Sequence, residues 1–285
     1  VDAVVQDREN IYKLSYQGEA AWYDESSSDD DNDYFDNTFS GSAHMELRNR
    51  WEVEGEVSWA SLHEDRGTGL TEGVVGNAVS EPVEYDQTDV GGSVQYGLDE
   101  GISRILVSAG YMDREYQNFR DFTRSRDREE TGLGLVFFHT IAPKTDALVE
   151  YAYLDIEYPK PFDNAPKLDS VENSLWLGAE WEITPHLTST AKVGYVDKDF
   201  DASERKDWDG VGVSADLWMQ PRDHDTIFVQ AKREPEETTL QGDFIVREEL
   251  LAEWTHDWSD RIYTKLSGSI GRDEYKESVN DREDD

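Results

Sequence analysis

Carboxylates spaced two apart recur along the chain: Glu52, Glu54 and Glu56, then Glu180 and Glu182. On an extended backbone such residues share one face, close enough for one carboxylate to perturb its neighbour's protonation. Glycoside hydrolysis uses carboxyl pairs about 5 to 10 Å apart, so a hydrolase is one reading of these residues. With 64 acidic residues in the chain, however, spacing alone singles out no catalytic pair. Asp29, Asp30, Asp31, Asn32 and Asp33 offer oxygen ligands for Ca²⁺, yet a calcium loop begun at Asp29 would have Tyr34 where glycine is needed and Ser40 where glutamate is needed. A solvated loop is the better reading, with loosely held divalent cations as a weaker role beside it. The six histidines are scattered, and His139, His186, His224 and His256 stand near predicted turns without metal-type spacing to one another. No metal site, cofactor or catalytic residue is expected.

These carboxylates must be placed by strands. From Thr131 to His139 the odd positions Thr131, Leu133, Leu135, Phe137 and His139 form one face, and Gly132, Gly134, Val136 and Phe138 the other. After Ala142, Pro143, Lys144 and Thr145 a second run sets Val149, Tyr151 and Tyr153 against Leu148, Glu150 and Ala152. Period two with aromatic and branched residues marks strands. The same unit recurs from Ile11 to Tyr23 through to the run beginning at Ile262, with Val211, Val213, Ala215, Leu217 and Met219 as its clearest apolar face. About thirteen such runs reach the roughly 10-residue length that a tilted strand needs to cross a bilayer. Connections alternate between long, acidic ones and short turns, as in a transmembrane barrel with long external loops and short periplasmic turns. A β-sandwich has no reason to sort its loops in this way.

Composition agrees. A net charge of −37 argues against nucleic acid as a partner. Mean hydropathy is only −0.77, yet 9 Trp, 14 Tyr and 10 Phe are too many for a disordered acidic chain. Strands with one face to lipid and the other to a wet interior reconcile the two. Cysteine is absent, so disulfides and thiolate metal sites are excluded.

The expected fold is all-β: an antiparallel up-and-down transmembrane β-barrel of about 14–18 strands when complete. One domain, residues 1–285, is expected to stop short of the barrel's C-terminal end, because DREDD lacks an aromatic-terminated last strand and the strand count is odd. The lumen face is read as Glu52, Glu54, Glu56, Glu150, Glu180, Glu182, Asp216, Glu249 and Glu253 with Arg104, Lys192, Lys232, Arg247 and Lys265. Trp176 and Trp218 share that face and either stack on sugar rings or fill space. Tyr12, Trp22, Trp51, Tyr96, Trp181 and Trp254 point outward near strand ends as an aromatic girdle.

Several stretches carry a family likeness: YKLSYQGEAAWYDESSSDDDNDY, GYMDREYQNF, the Pro-Lys-Thr turn with DALVEYAYLDIEY, LWLGAEWEITPHLTSTAKVGYVDKDF and WTHDWSDRIYTKLSGSIGRDEYKES. Together they resemble outer-membrane β-barrels, of the porin-like type, that are encoded with exopolysaccharide and capsule export systems. The likeness runs over nearly the whole chain and implies a non-catalytic conduit or secretion-complex component in the bacterial outer membrane. Its implied partners are membrane lipid and lipopolysaccharide, a polysaccharide, and periplasmic export proteins. The alternatives are a structural or adhesive surface barrel, a general porin, and, more remotely, a barrel hydrolase.

Overall fold

The computed structural model describes residues 1–23, 32–47, 50–65, 79–98, 101–161, 166–237, 243–259, 262–276 and 283–284. Its strands are β1 (Asp2–Asp7), β2 (Asn10–Ala21), β3 (Tyr34–Leu47), β4 (Trp51–Glu64), β5 (Val83–Tyr96), β6 (Ser103–Tyr116), β7 (Arg128–Ala142), β8 (Thr145–Glu157), β9 (Ser170–Thr184), β10 (Leu187–Phe200), β11 (Trp208–Arg222), β12 (Asp225–Glu236), β13 (Phe244–Ser259), β14 (Ile262–Lys276) and the two-residue β15 (Glu283–Asp284). All join one sheet in sequence order, and every pairing is antiparallel. This is the expected up-and-down architecture. Among the described residues no helix is long and apolar enough to cross a membrane.

Two elements differ from the sequence reading. The segment Asp2–Asp7 forms a strand paired to β2 from Asp2↔Ser15 to Asp7↔Asn10; six residues with only Ala3, Val4 and Val5 apolar gave no period to detect. The connection between β6 and β7 is not an acidic loop. It carries Arg120, Arg124 and Arg126 against Asp121 and Asp127, and folds into the short helix α1 (Arg120–Thr123) and a 3-10 turn, Arg124–Arg126.

Register fixes the faces. Leu133, Leu135 and Phe137 of β7 meet Tyr153, Tyr151 and Val149 of β8, and all but the half-buried Tyr153 are exposed, as a lipid-facing surface requires. Between the two strands, Pro143 and Lys144 make the turn, with Lys144 in the left-handed region at φ 63°. Gly97 ends β5 at φ 129°, and a Cβ there would stand 2.7 Å from the Ser103 carbonyl oxygen, so only glycine fits this turn.

The sheet is strongly curled. The Tyr158 hydroxyl, just past β8, donates to Glu237, just past β12; on a flat sheet these positions would be about 19 Å apart, at about 4.8 Å per strand. Ile156, Tyr158, Leu168, Phe200, Phe244 and Val246 form one buried cluster drawn from β8, β10, β13 and their connections. The buried core therefore lies at the long-loop end.

Candidate functional site

The predicted lumen residues fall on the concave side, where register sets them beside one another. Arg104 of β6 reaches over β7, donating to Asp146 of β8 at 2.5 Å and to Glu180 of β9 at 3.1 Å. Its guanidinium lies 3.9 Å from the Phe138 ring centre. Lys192 donates to Glu150 at 2.8 Å, Lys265 pairs with Glu253 at 2.7 Å, and Lys232 lies 2.7 Å from Glu236 and 3.9 Å from Glu249. Arg247 joins Glu236 to Asp273, and Asp216 accepts from Gln230 at 2.8 Å. Glu182 is bound by Lys144 of the β7–β8 turn. Of the carboxylates read from sequence as paired acids, Glu180 is engaged with Arg104 and Glu182 with Lys144, whereas Glu52 and Glu54 both face His44, at 3.5 and 3.2 Å. What the arrangement offers is a mixed-charge wall of acidic excess, and such walls bias permeation.

On the β4 side the wall carries Glu54, against His44 at 3.2 Å, and Glu56, which lies over Gly91 with Oε1 3.2 Å from a Cβ placed there. Gln95 donates to Glu52 at 3.4 Å. Beside these acids runs a band of small residues. Glu56, Gly91, Gly110 and Gly132 are successive cross-strand partners, as are Glu54, Ser93, Ser108 and Gly134. Together with Ser42, Ala152 and Leu154 they bound a cavity of about 740 Å³. Glycines inside strands weaken them, and here they leave the interior free of side chains beside three glutamates.

Trp176 resolves the alternative posed for it. It is 7% exposed and its indole lies flat across two glycines: a Cβ on Gly194 would stand 2.4 Å from Cδ2, and one on Gly212 2.2 Å from Cη2. Both are its row neighbours, Trp176↔Gly194 and Gly194↔Gly212. Trp176 therefore fills space. Trp218, near the short-turn end, is partly exposed. Of the predicted girdle, Tyr12, Trp22, Trp51 and Tyr96 are exposed, while Trp181 and Trp254 are half-buried, Trp254 donating to Asp225 at 3.1 Å.

At the long-loop end the acids have a structural task that spacing did not reveal. The backbone N–H that closes an outgoing strand donates to an aspartate on the returning side of the same connection: Tyr23 to Asp33 at 2.7 Å, Tyr116 to Asp127 at 3.0 Å, Tyr158 to Asp169 at 2.8 Å and Phe200 to Asp207 at 2.9 Å. An aromatic followed by aspartate seven to eleven residues later is the signal that could have found them. Lys198, with a side chain 0% exposed, is clamped between Glu172 at 2.7 Å and Glu237 at 2.6 Å. Burial, then the neighbouring Glu237 charge, pushes the Tyr158 hydroxyl well above the usual tyrosine range. The Glu115 hydrogen bond raises Lys160, and Asp169 raises Lys167. The acidic run at Asp29–Asp31 and most of the 66–84 connection lie outside the described residues.

Two of the scattered histidines meet across strands. His224 and His256, 32 positions apart in the chain, have ring centres 5.0 Å apart, because Asp225 pairs in register with His256.

Comparison with known proteins agrees with the fold. The apoprotein form of the FrpB iron transporter from Neisseria meningitidis superposes with a TM-score of 0.51 at 11% identity, over 96% of this chain and 51% of that one. The siderophore receptor PiuA from Acinetobacter baumannii gives 0.44 at 12% identity, over 96% and 54%, and the alcaligin outer-membrane receptor FauA from Bordetella pertussis 0.45 at 12%, over 96% and 48%. This chain thus spans about half the length of those proteins. Among curated proteins none matches it. The profile of one family matches residues 9–285, and the chain, an outer-membrane β-barrel of porin type, belongs to that family, described as "Putative beta-barrel porin 2".

Proposed function

We propose that this barrel is a non-catalytic conduit through which an exopolysaccharide crosses or leaves the outer membrane. The observation that carries the reading is the concave band of Gly91, Ser93, Ser108, Gly110, Gly132 and Gly134 beside Glu54 and Glu56, bounding about 740 Å³. A hydrated polymer needs width and many weak hydrogen-bond partners, so that it can enter yet leave again. Small residues supply the width, and carboxylates and hydroxyls supply acceptors for sugar hydroxyls. Excess negative charge disfavours a strongly anionic polymer, within the roughly 8 Å over which physiological salt leaves charges unscreened. Lipopolysaccharide at the long-loop end and periplasmic export proteins at the short-turn end are the partners this reading implies.

The test is charge reversal of Glu180, Glu182, Glu249 and Glu253 in the native host, with surface polysaccharide measured and assembly followed by heat-modifiable gel mobility. Reduced or altered export from a correctly assembled barrel is expected. Unchanged export with unchanged assembly contradicts a lumen role for these residues.

A further inference from the structure

Away from the lumen, at the short-turn end of the convex face, three side chains converge. His224 occupies the turn between β11 and β12, Asp225 opens β12, and His256 lies on β13 directly across from Asp225. His256 Nδ1 is 2.7 Å from Asp225 Oδ1, and His224 Nε2 is 3.8 Å from Oδ2. One ligand atom from each residue lies within 4.8 Å of the other two. Donors about 2.0–2.1 Å from a tetrahedral ion stand about 3.4 Å from one another. The inward movement required is small and falls to His224, whose side chain is 49% exposed, whereas Asp225 and His256 are 10% and 14% exposed.

The surroundings hold the buried pair in place. Trp254 donates its indole N–H to Asp225 Oδ1 at 3.1 Å, the outer hydrogen bond that orients a ligating carboxylate. That leaves Oδ2 on the side of His224. The guanidinium of Arg222 is 3.9 Å from Oδ2 but mostly exposed, free to turn into water when a cation arrives.

We propose that His224, Asp225 and His256 bind one divalent transition-metal ion, of the class of Zn²⁺, Ni²⁺ and Cu²⁺, with water completing its coordination. Two imidazoles and a carboxylate suit these ions, whereas Ca²⁺ and Mg²⁺ require oxygen donors almost throughout. The proposal is independent of what crosses the lumen.

Titration of the detergent-solubilised full-length protein with NiCl₂, ZnCl₂ and CuSO₄, followed by calorimetry, tests it. Cu²⁺ adds an optical readout, because the His256 ring centre is 4.2 Å from that of Trp258 and 5.6 Å from that of Trp254, so bound copper should quench tryptophan emission. One saturable site is expected. H224A and H256A should each weaken binding by at least about tenfold, with heat-modifiable mobility retained, and a hundredfold excess of CaCl₂ should not compete. H44A, which disrupts the second candidate ligand group among the described residues, at His44, Glu52 and Glu54, should leave binding unchanged. Absence of a saturable site, binding indifferent to both H224A and H256A, or binding abolished by H44A instead, overturns the proposal. His224 is on an exposed turn, so its variant keeps the test meaningful even where H256A disturbs β13.

Discussion

Trp176 lies against Gly212 so closely that a Cβ at that position would stand 2.2 Å from the indole Cη2. Two strands separate cleanly in function here, since β9 supplies the ring and β11 the bare backbone that receives it. G212A should expel the indole from its seat. The expected loss is about 1–3 kcal/mol, typical of overpacking, read by urea unfolding in lipid vesicles. The double variant W176A/G212A should lose less than the sum of the two single variants, because each change removes the other's clash or contact. Strict additivity contradicts the packing described.

Lys198 is the best-buried cation described, between Glu172 and Glu237. Replacing it with Met retains the volume but leaves two carboxylates facing one another without compensation. Removing one partner from a buried ion cluster costs about 3–5 kcal/mol. K198M should therefore lower the urea midpoint far more than K265M, whose cation is half exposed. Equal shifts would mean that the long-loop end is held by its apolar cluster alone.

The base of the 158–169 connection should loosen in alkali. Tyr158, Lys160 and Lys167 all have raised values in the folded protein, so their contribution is complete below the unfolded values of about 10 to 10.4 and is lost as pH rises through the folded ones. Limited proteolysis with subtilisin should leave this connection intact at pH 8 and cut it at pH 11. D169A removes the acceptor of the Tyr158 N–H and the partner of Lys167, and should permit cutting already at pH 8. Equal cutting of the wild-type protein at both pH values would contradict the clasp.

The architecture was legible because it is local. Alternation of Leu133, Leu135 and Phe137 against Gly132, Gly134 and Val136 needs only the two-residue pleat, and the Pro143–Lys144 turn declares itself. What stayed hidden depends on register across strands. Nothing in the chain order brings His224 to His256 or sets Trp176 over Gly194 and Gly212; those meetings arise from which residue pairs with which across the sheet. Periodicity sets Glu180 on one strand face, but its partner Arg104 lies three strands away and 76 positions distant. The clasps of Asp127, Asp169 and Asp207 were concealed by abundance, since aspartate is common throughout so acidic a chain.

The proposed function requires an acid-biased lumen able to pass a neutral polymer. Conductance of the full-length protein in planar lipid bilayers, measured across a KCl gradient with neutral glucan oligosaccharides added, tests this directly. The predicted result is a cation-selective current that the oligosaccharide interrupts in a concentration-dependent way, with selectivity reduced in E54Q/E56Q. A folded barrel that gives no current, or an anion-selective current indifferent to sugar and to both substitutions, would contradict it.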